Sequence, residues 1–166
     1  MFARIVTFCS AAVLALGLFV AASGGAHAQA AKPGVGENGV VVAKSAYGLD
    51  ETVDRLKKDI SSKGITFFMA VDQSKLAADA GIKLRPSTLL IFGNPGLGSH
   101  FMTANPVSGL DWPVRLLVFQ DETGQVWTAY TDFAWIAQRH GITSREAEFR
   151  MASMVIASIT SSVTAK

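Results

Sequence analysis

The stretch from Thr88 to Tyr130 constrains this chain more than any other. It carries the two most apolar strand candidates, dense glycine-proline punctuation with three of the five prolines, and two of the three tryptophans. Leu89 to Phe92 is a continuous apolar run stopped by Gly93, the pattern of a strand buried on both faces. Asn94-Pro95 then reads as a helix start: asparagine is a favoured N-cap, and proline fits the first helical position, where its missing N–H has no intrahelical partner to lose. Asn105-Pro106 repeats the device. Between them Gly96 and Gly98 loosen the first turn, so that backbone N–H groups there can face an anion. The stricter phosphate patterns fail. A P-loop requires Gly-Lys followed by Ser or Thr, and the dinucleotide fingerprint requires a third glycine where this chain has Phe101.

The flanking segments predict helices alternating with strands. Val40 to Ala43 reads as a short strand. A helix follows with Asp50 as cap, Glu51 and Asp54 near its positive end, and Leu49, Val53, Leu56 and Ile60 on one face, stopped by Gly64. Ile65 to Val71 alternates, with Ile65, Phe67, Met69 and Val71 on the more apolar face of a strand. Ser74 to Ala80 is a short helix closed by Gly81. Beyond LDWP, Val114–Gln120 and Gln125–Thr131 flank the turn Asp121 to Gly124 and predict a β-hairpin. Phe133–His140 is a helix closed by Gly141. Thr143 and Glu146 form a capping box for a last helix, with Met151, Met154, Val155 and Ile159 on one side. The methionines read as core filler, since they have neither the clustering nor the spacing of copper ligands.

Residues 1–28 are expected to lie outside the fold. Arg4 precedes an almost wholly apolar run, Ile5 to Ala22, and Ala26-His27-Ala28 is a small-x-small cleavage site before Gln29. This is the order of a secretory signal peptide, implying a periplasmic or secreted product without stable membrane insertion after cleavage. The rival reading is an uncleaved anchor, because the run approaches the length of a span. Cleavage would also remove Cys9, the sole cysteine, and with it any disulfide, thiol nucleophile or thiolate metal ligand. Losing Arg4 takes the 15 basic residues to 14 against 13 acidic ones, a net charge of +1. No basic block accompanies it, which disfavours nucleic acid as a partner. Residues 29–38 are small, polar and rich in glycine and proline, as in a flexible leader.

The text LRPSTLLIFGNPGLGSHFMTANP, followed by LDWPVRLLVFQDETGQVWTAYTD and IAQRHGI, resembles the domain of unknown function 302 family of bacterial proteins. The similarity runs from about Val40 to Ile142. It implies a compact β-α-β-rich domain, and the order of strands and helices predicts an α+β fold: a single domain with an antiparallel or mixed sheet and helices packed on one face. The same resemblance implies a homodimer and a family without an established activity. The domain-like core then covers residues 39–142, and residues 143–166 form a C-terminal helix that packs on the core or extends from it. Two positions depart from the family pattern. Gln73 stands where histidine commonly follows Asp72, and Trp112 replaces a usual leucine.

Candidate ligand-binding residues are Gly93, Asn94, Gly96, Gly98, His100, Asp111 and Arg115. The glycines and His100 would lie beyond one strand end, and Asp111 and Arg115 flank the entry to the next strand, where they can bind a carboxylate or simply pair with each other. A second pairing, with Arg85 and Asp72, is also open. His140 stands in the last turn of a helix, where the carbonyl end stabilises partial positive charge. The sequence has no nucleophile paired with a base, no carboxylate pair at catalytic spacing and no metal cluster, and no cofactor is expected. The favoured class is an exported, non-catalytic module for a small apolar or anionic ligand. The alternatives are a cofactor-free acid-base enzyme using Asp111, His100 and Arg115, and a haem- or metal-binding protein using His100 or His140.

Overall fold

A computed structural model of the chain describes residues 34–165, so the expected signal peptide and the first part of the expected leader lie outside the described residues. Six strands form one antiparallel sheet: β1 (Gly34–Val35), β2 (Val40–Lys44), β3 (Thr66–Asp72), β4 (Ser87–Gly93), β5 (Val114–Gln120) and β6 (Val126–Thr131), in the order β1-β2-β6-β5-β4-β3. The helices are α1 (Leu49–Ser62), α2 (Gln73–Asp79), α3 (Pro95–Ala104), α4 (Phe133–Arg139) and α5 (Glu146–Ser161), with a 3-10 helix over Pro106–Asp111. The leader is therefore not wholly without structure, because Gly34–Val35 pairs with β2.

The sheet buries one face. Leu90, Phe92, Leu116, Val118 and Val126 join Val53, Leu56 and Ile60 of α1, Phe133 and Ile136 of α4, and Phe149, Ile156 and Ile159 of α5 in one apolar core. Leu89 and Ile91, on the other face of β4, are only half-buried. This corrects the reading of Leu89–Phe92 as buried on both sides. A continuous apolar run need not mean helices on both faces, and here the far face of an antiparallel sheet stays open and apolar.

Local signals account for most boundaries. Asn94 Oδ1 accepts from Leu97 N–H at 3.1 Å with Pro95 at the first helical position, and Asn105 Oδ1 accepts from Val107 N–H at 3.0 Å ahead of Pro106. In the β5–β6 turn Asp121 Oδ1 accepts from Thr123 N–H, Thr123 Oγ1 and Gln125 N–H, while Oδ2 accepts from Trp127 Nε1 at 2.7 Å. Gly124 closes that turn at φ +85°, a conformation that favours glycine. The bonds from Thr123 and then Trp127 hold the Asp121 carboxyl down to about 2.

Four expectations are corrected. Gly48, not Asp50, precedes α1, and Asp50 lies in its first turn. Arg145 occupies the cap position of α5 without a side-chain cap bond, so Thr143 and Glu146 form no capping box. A β-bulge at Phe68 breaks the β3 alternation: Phe67 stands beside the buried Phe92, while Met69 and Val71 stand beside Ile91 and Leu89 on the open face. Helix α5 buries Phe149, Ala152, Ile156 and Ile159, leaving Met151 and Met154 exposed. An apolar helix has more than one candidate stripe, and the aromatic ring of Phe149 decides which is used, because it stacks on Phe101 with centroids 4.2 Å apart.

Candidate functional site

Strand β4 ends at Gly93 and turns through Asn94 into α3, opening a cleft between that turn and the exposed side of α5. The cleft has a volume of about 640 Å³. Phe92, Leu97, Trp112, Val114, Met151 and Val155 supply apolar wall, and Lys63, Asn94, His100, Glu148 and Ser158 supply the polar groups. Lys63 is already bonded to Asp59 at 2.6 Å, and Glu148 faces Arg145 at 3.5 Å, leaving Asn94, His100 and Ser158 as polar groups without such an ion pair. A concave, mainly apolar space with few polar groups is the form of a small-molecule site.

Gly93 and Gly98 have a packing role that the anion reading overlooked. A Cβ on Gly98 would stand 1.9 Å from Trp112 Cε2 and Nε1, and one on Gly93 would stand 2.8 Å from Trp112 Cζ2. Both residues are buried beneath the indole, which also meets Phe101 edge-on at 6.0 Å. Gly96 is exposed and has only Asn94 Oδ1 nearby, at 3.3 Å from such a Cβ. Hence two of the three glycines let a tryptophan approach the backbone and floor the cleft.

Asp111 and Arg115 lie elsewhere. Asp111 is buried, and its carboxylate accepts from Arg115 Nη2 at 3.1 Å, Arg139 Nη1 at 3.2 and 3.3 Å, and His140 Nε2 at 2.6 Å. The alternative pairing with Asp72 and Arg85 does not form, since Asp72 caps α2 and accepts from Lys75 N–H and Ser74 Oγ. Beside Asp111 and Arg115 there is only a notch of about 10 Å³. Val114 and Phe133 line both the notch and the cleft and so separate them. The structure thus brings Gly93, Asn94 and His100 to one cavity and Asp111 with Arg115 to another place. Sequence reasoning missed Arg139 and the bond from His140 to Asp111. Their separation of 28 and 29 residues gave no local signal, beyond both standing at the end of a predicted helix.

His140 and Asp111 make a buried imidazole–carboxylate pair, the type of contact that serves proton transfer when substrate can reach it. Their side chains are 5% and 4% exposed. Reach, not chemistry, limits them. Among the described residues no group of three or more His, Cys, Asp or Glu is placed to hold a metal ion.

Over residues 41–158 the sequence matches the family model described as "Domain of unknown function DUF302". The chain belongs to the DUF302 family. A crystal structure of a DUF302 protein from Bacillus stearothermophilus superposes with a TM-score of 0.69 at 15% identity, covering 75% of this chain and 98% of that one, which shows a shared fold. Two curated relatives are each 39% identical over 106 residues, or 64% of this chain. They are Fluoride-specific ion channel FluC 1 of Brucella suis biovar 1 (strain 1330) and the protein of the same name from Brucella abortus biovar 1 (strain 9-941). The DUF302 chain spans 42% and 39% of their lengths. Among the described residues no helix is long and apolar enough to cross a membrane.

Proposed function

We propose that this DUF302 protein is an exported, non-catalytic module that holds a small apolar or amphipathic molecule in the cleft between α5 and the β4–α3 turn. The observation that carries this reading is the cleft itself: about 640 Å³ of mainly apolar lining, with His100 and the Asn94 Nδ2 available to orient a polar end, Asn94 Oδ1 being held by the α3 cap. Gly93 and Gly98 serve the site indirectly by seating Trp112. Asp111 and Arg115 stand outside it.

Native mass spectrometry of protein recovered from the periplasm tests the reading. The expected result is a bound small molecule that is lost in Val155→Trp, a substitution that fills the cleft from α5. Recovery of ligand-free protein that also fails to take up an apolar fluorescent probe in a saturable way would overturn it.

The homodimer implied by the family resemblance has a surface suited to it. Leu89, Ile91, Leu117, Phe119 and Trp127 are half-buried on the open sheet face, and Phe68 and Met69 are 48% and 53% exposed at its β3 edge. Six strands at about 4.8 Å spacing and roughly 20 Å length make a face on the order of 500 Å², within the range of the largest patches monomers expose and smaller than one side of a standard interface. Light scattering showing a monomer at micromolar concentration would remove the dimer and leave the cleft untouched.

A further inference from the structure

Asp111 is surrounded by more positive charge than it neutralises. Arg115 Nη2 takes Oδ1 at 3.1 Å, Arg139 Nη1 spans Oδ1 and Oδ2 at 3.3 and 3.2 Å, and His140 Nε2 takes Oδ2 at 2.6 Å. No second carboxylate comes within 4.0 Å of either guanidinium among the described residues, so two permanent cations share one anion. Each arginine uses one terminal nitrogen: Arg115 Nη2 also donates to Leu110 O at 2.8 Å, and Arg139 uses Nη1 alone. The Nε and the remaining terminal nitrogen of each make no hydrogen bond to the described protein. Whereas Asp111 and His140 are almost wholly buried, the Arg115 and Arg139 side chains are 49% and 46% exposed.

This is a buried clamp holding two exposed forks. Arg115 projects from the start of β5, and Arg139 from the last turn of α4, where its guanidinium lies 5.5 Å from the centre of the Trp135 ring. That stacking, together with the bond to Asp111, restrains a side chain that would otherwise sample many rotamers. We propose that Arg115 and Arg139 form a binding site for a small oxyanion, a carboxylate or a phosphate, with Asp111 and His140 as positioning residues behind it. Guanidinium forks match the paired oxygens of these groups, and an anion between them relieves the repulsion that one carboxylate leaves uncancelled. The site is separate from the apolar cleft, because Val114 and Phe133 stand between them.

The test is a pair of titrations, one with inorganic phosphate and one with acetate, at ionic strength held constant with sodium chloride. Arginine Nε–H resonances are followed by NMR. Saturable shifts of Arg115 and Arg139 are expected with at least one anion, and the anion that saturates identifies the ligand class. Arg139→Gln should raise the dissociation constant by about tenfold or more, and Arg139→Lys, which keeps the charge and the means to pair with Asp111, should also weaken binding because the planar fork is lost. Uptake of an apolar probe by the cleft should be unchanged in both variants. Absence of saturation with either anion, or equal affinity in Arg139→Lys and the parent protein, would overturn the proposal. Should Arg139→Gln fail to fold, Arg139→Lys decides it.

Discussion

Gly98→Ala isolates the contact on which the cleft floor rests. In a helix interior, alanine is favoured over glycine by about 1 kcal/mol, so on α3 alone the substitution should stabilise. Against this, the added Cβ would stand 1.9 Å from Trp112 Cε2 and Nε1, and both atoms belong to a rigid indole. Ordinary carbon contacts lie near 3.5–4.0 Å, so the ring must move by roughly 1.5 Å or more, and overpacking of this kind costs about 1–3 kcal/mol. Movement also disturbs the edge-on contact with Phe101, which packs on Phe149 in the core. The packing term is the larger over most of its range, and a net loss of up to about 2 kcal/mol is expected. Urea denaturation gives the value. Trp112→Leu removes the obstruction, so Gly98→Ala in that background should be neutral or stabilising. The coupling between the two substitutions should be on the order of 1–3 kcal/mol. If Gly98→Ala stabilises the parent protein, or the two effects simply add, the glycine is not there to admit the indole.

Further outcomes follow from the same geometry. Asp111→Ala leaves His140 buried without its partner and two guanidinium groups unopposed, and should destabilise by about 3 kcal/mol or more in denaturant melts. His100→Ala, at an exposed position, should change stability by no more than about 0.5 kcal/mol while reducing retention of the cleft ligand in native mass spectra. Asp121 ionises in the folded protein near pH 2, below its ordinary 3.8. Its contribution is therefore complete above about pH 4 and lost as pH falls toward 2, and Asp121→Asn should flatten that part of the stability–pH curve, read from thermal melts. Mass spectrometry of the exported product should give an N-terminus at Gln29.

The fold was readable where one residue decides one local conformation. Asn94-Pro95 and Asn105-Pro106 mark their helix starts because a side-chain acceptor and a missing N–H are both local devices. The Asp121–Gly124 turn and the glycines after α1, α2 and α4 are similarly local, with Gly64, Gly81 and Gly141 all at positive φ. Long-range choices were not readable. The run Leu89–Phe92 does not reveal how many of its faces receive helices. The stripe of α5 depends on Phe149 meeting Phe101, 48 residues earlier in the chain. The β3 bulge comes from pairing with β4, and alternation within β3 carries no trace of it.

The candidate site failed to form one mouth for a reason of parity. Trp112 is already extended, at φ −129° and ψ 133°, before β5 begins at Val114. Successive side chains of an extended segment point to opposite sides. Trp112 and Val114 both line the cleft, and Val114 pairs beside the buried Phe92. Arg115 leaves the strand on the opposite side from Val114, and its guanidinium reaches Asp111, the last residue of the 3-10 helix. Adjacent residues in LDWPVR thus serve two separate places. What could not be inferred is the third element: α4 returns from β6 to set Arg139 and His140 against the same carboxylate, converting a local ion pair into a buried clamp with two exposed arginines. Because the pairing across 28 residues is made by chain topology, and the alternation across four is made by backbone geometry, only the second was open to a reader of the sequence.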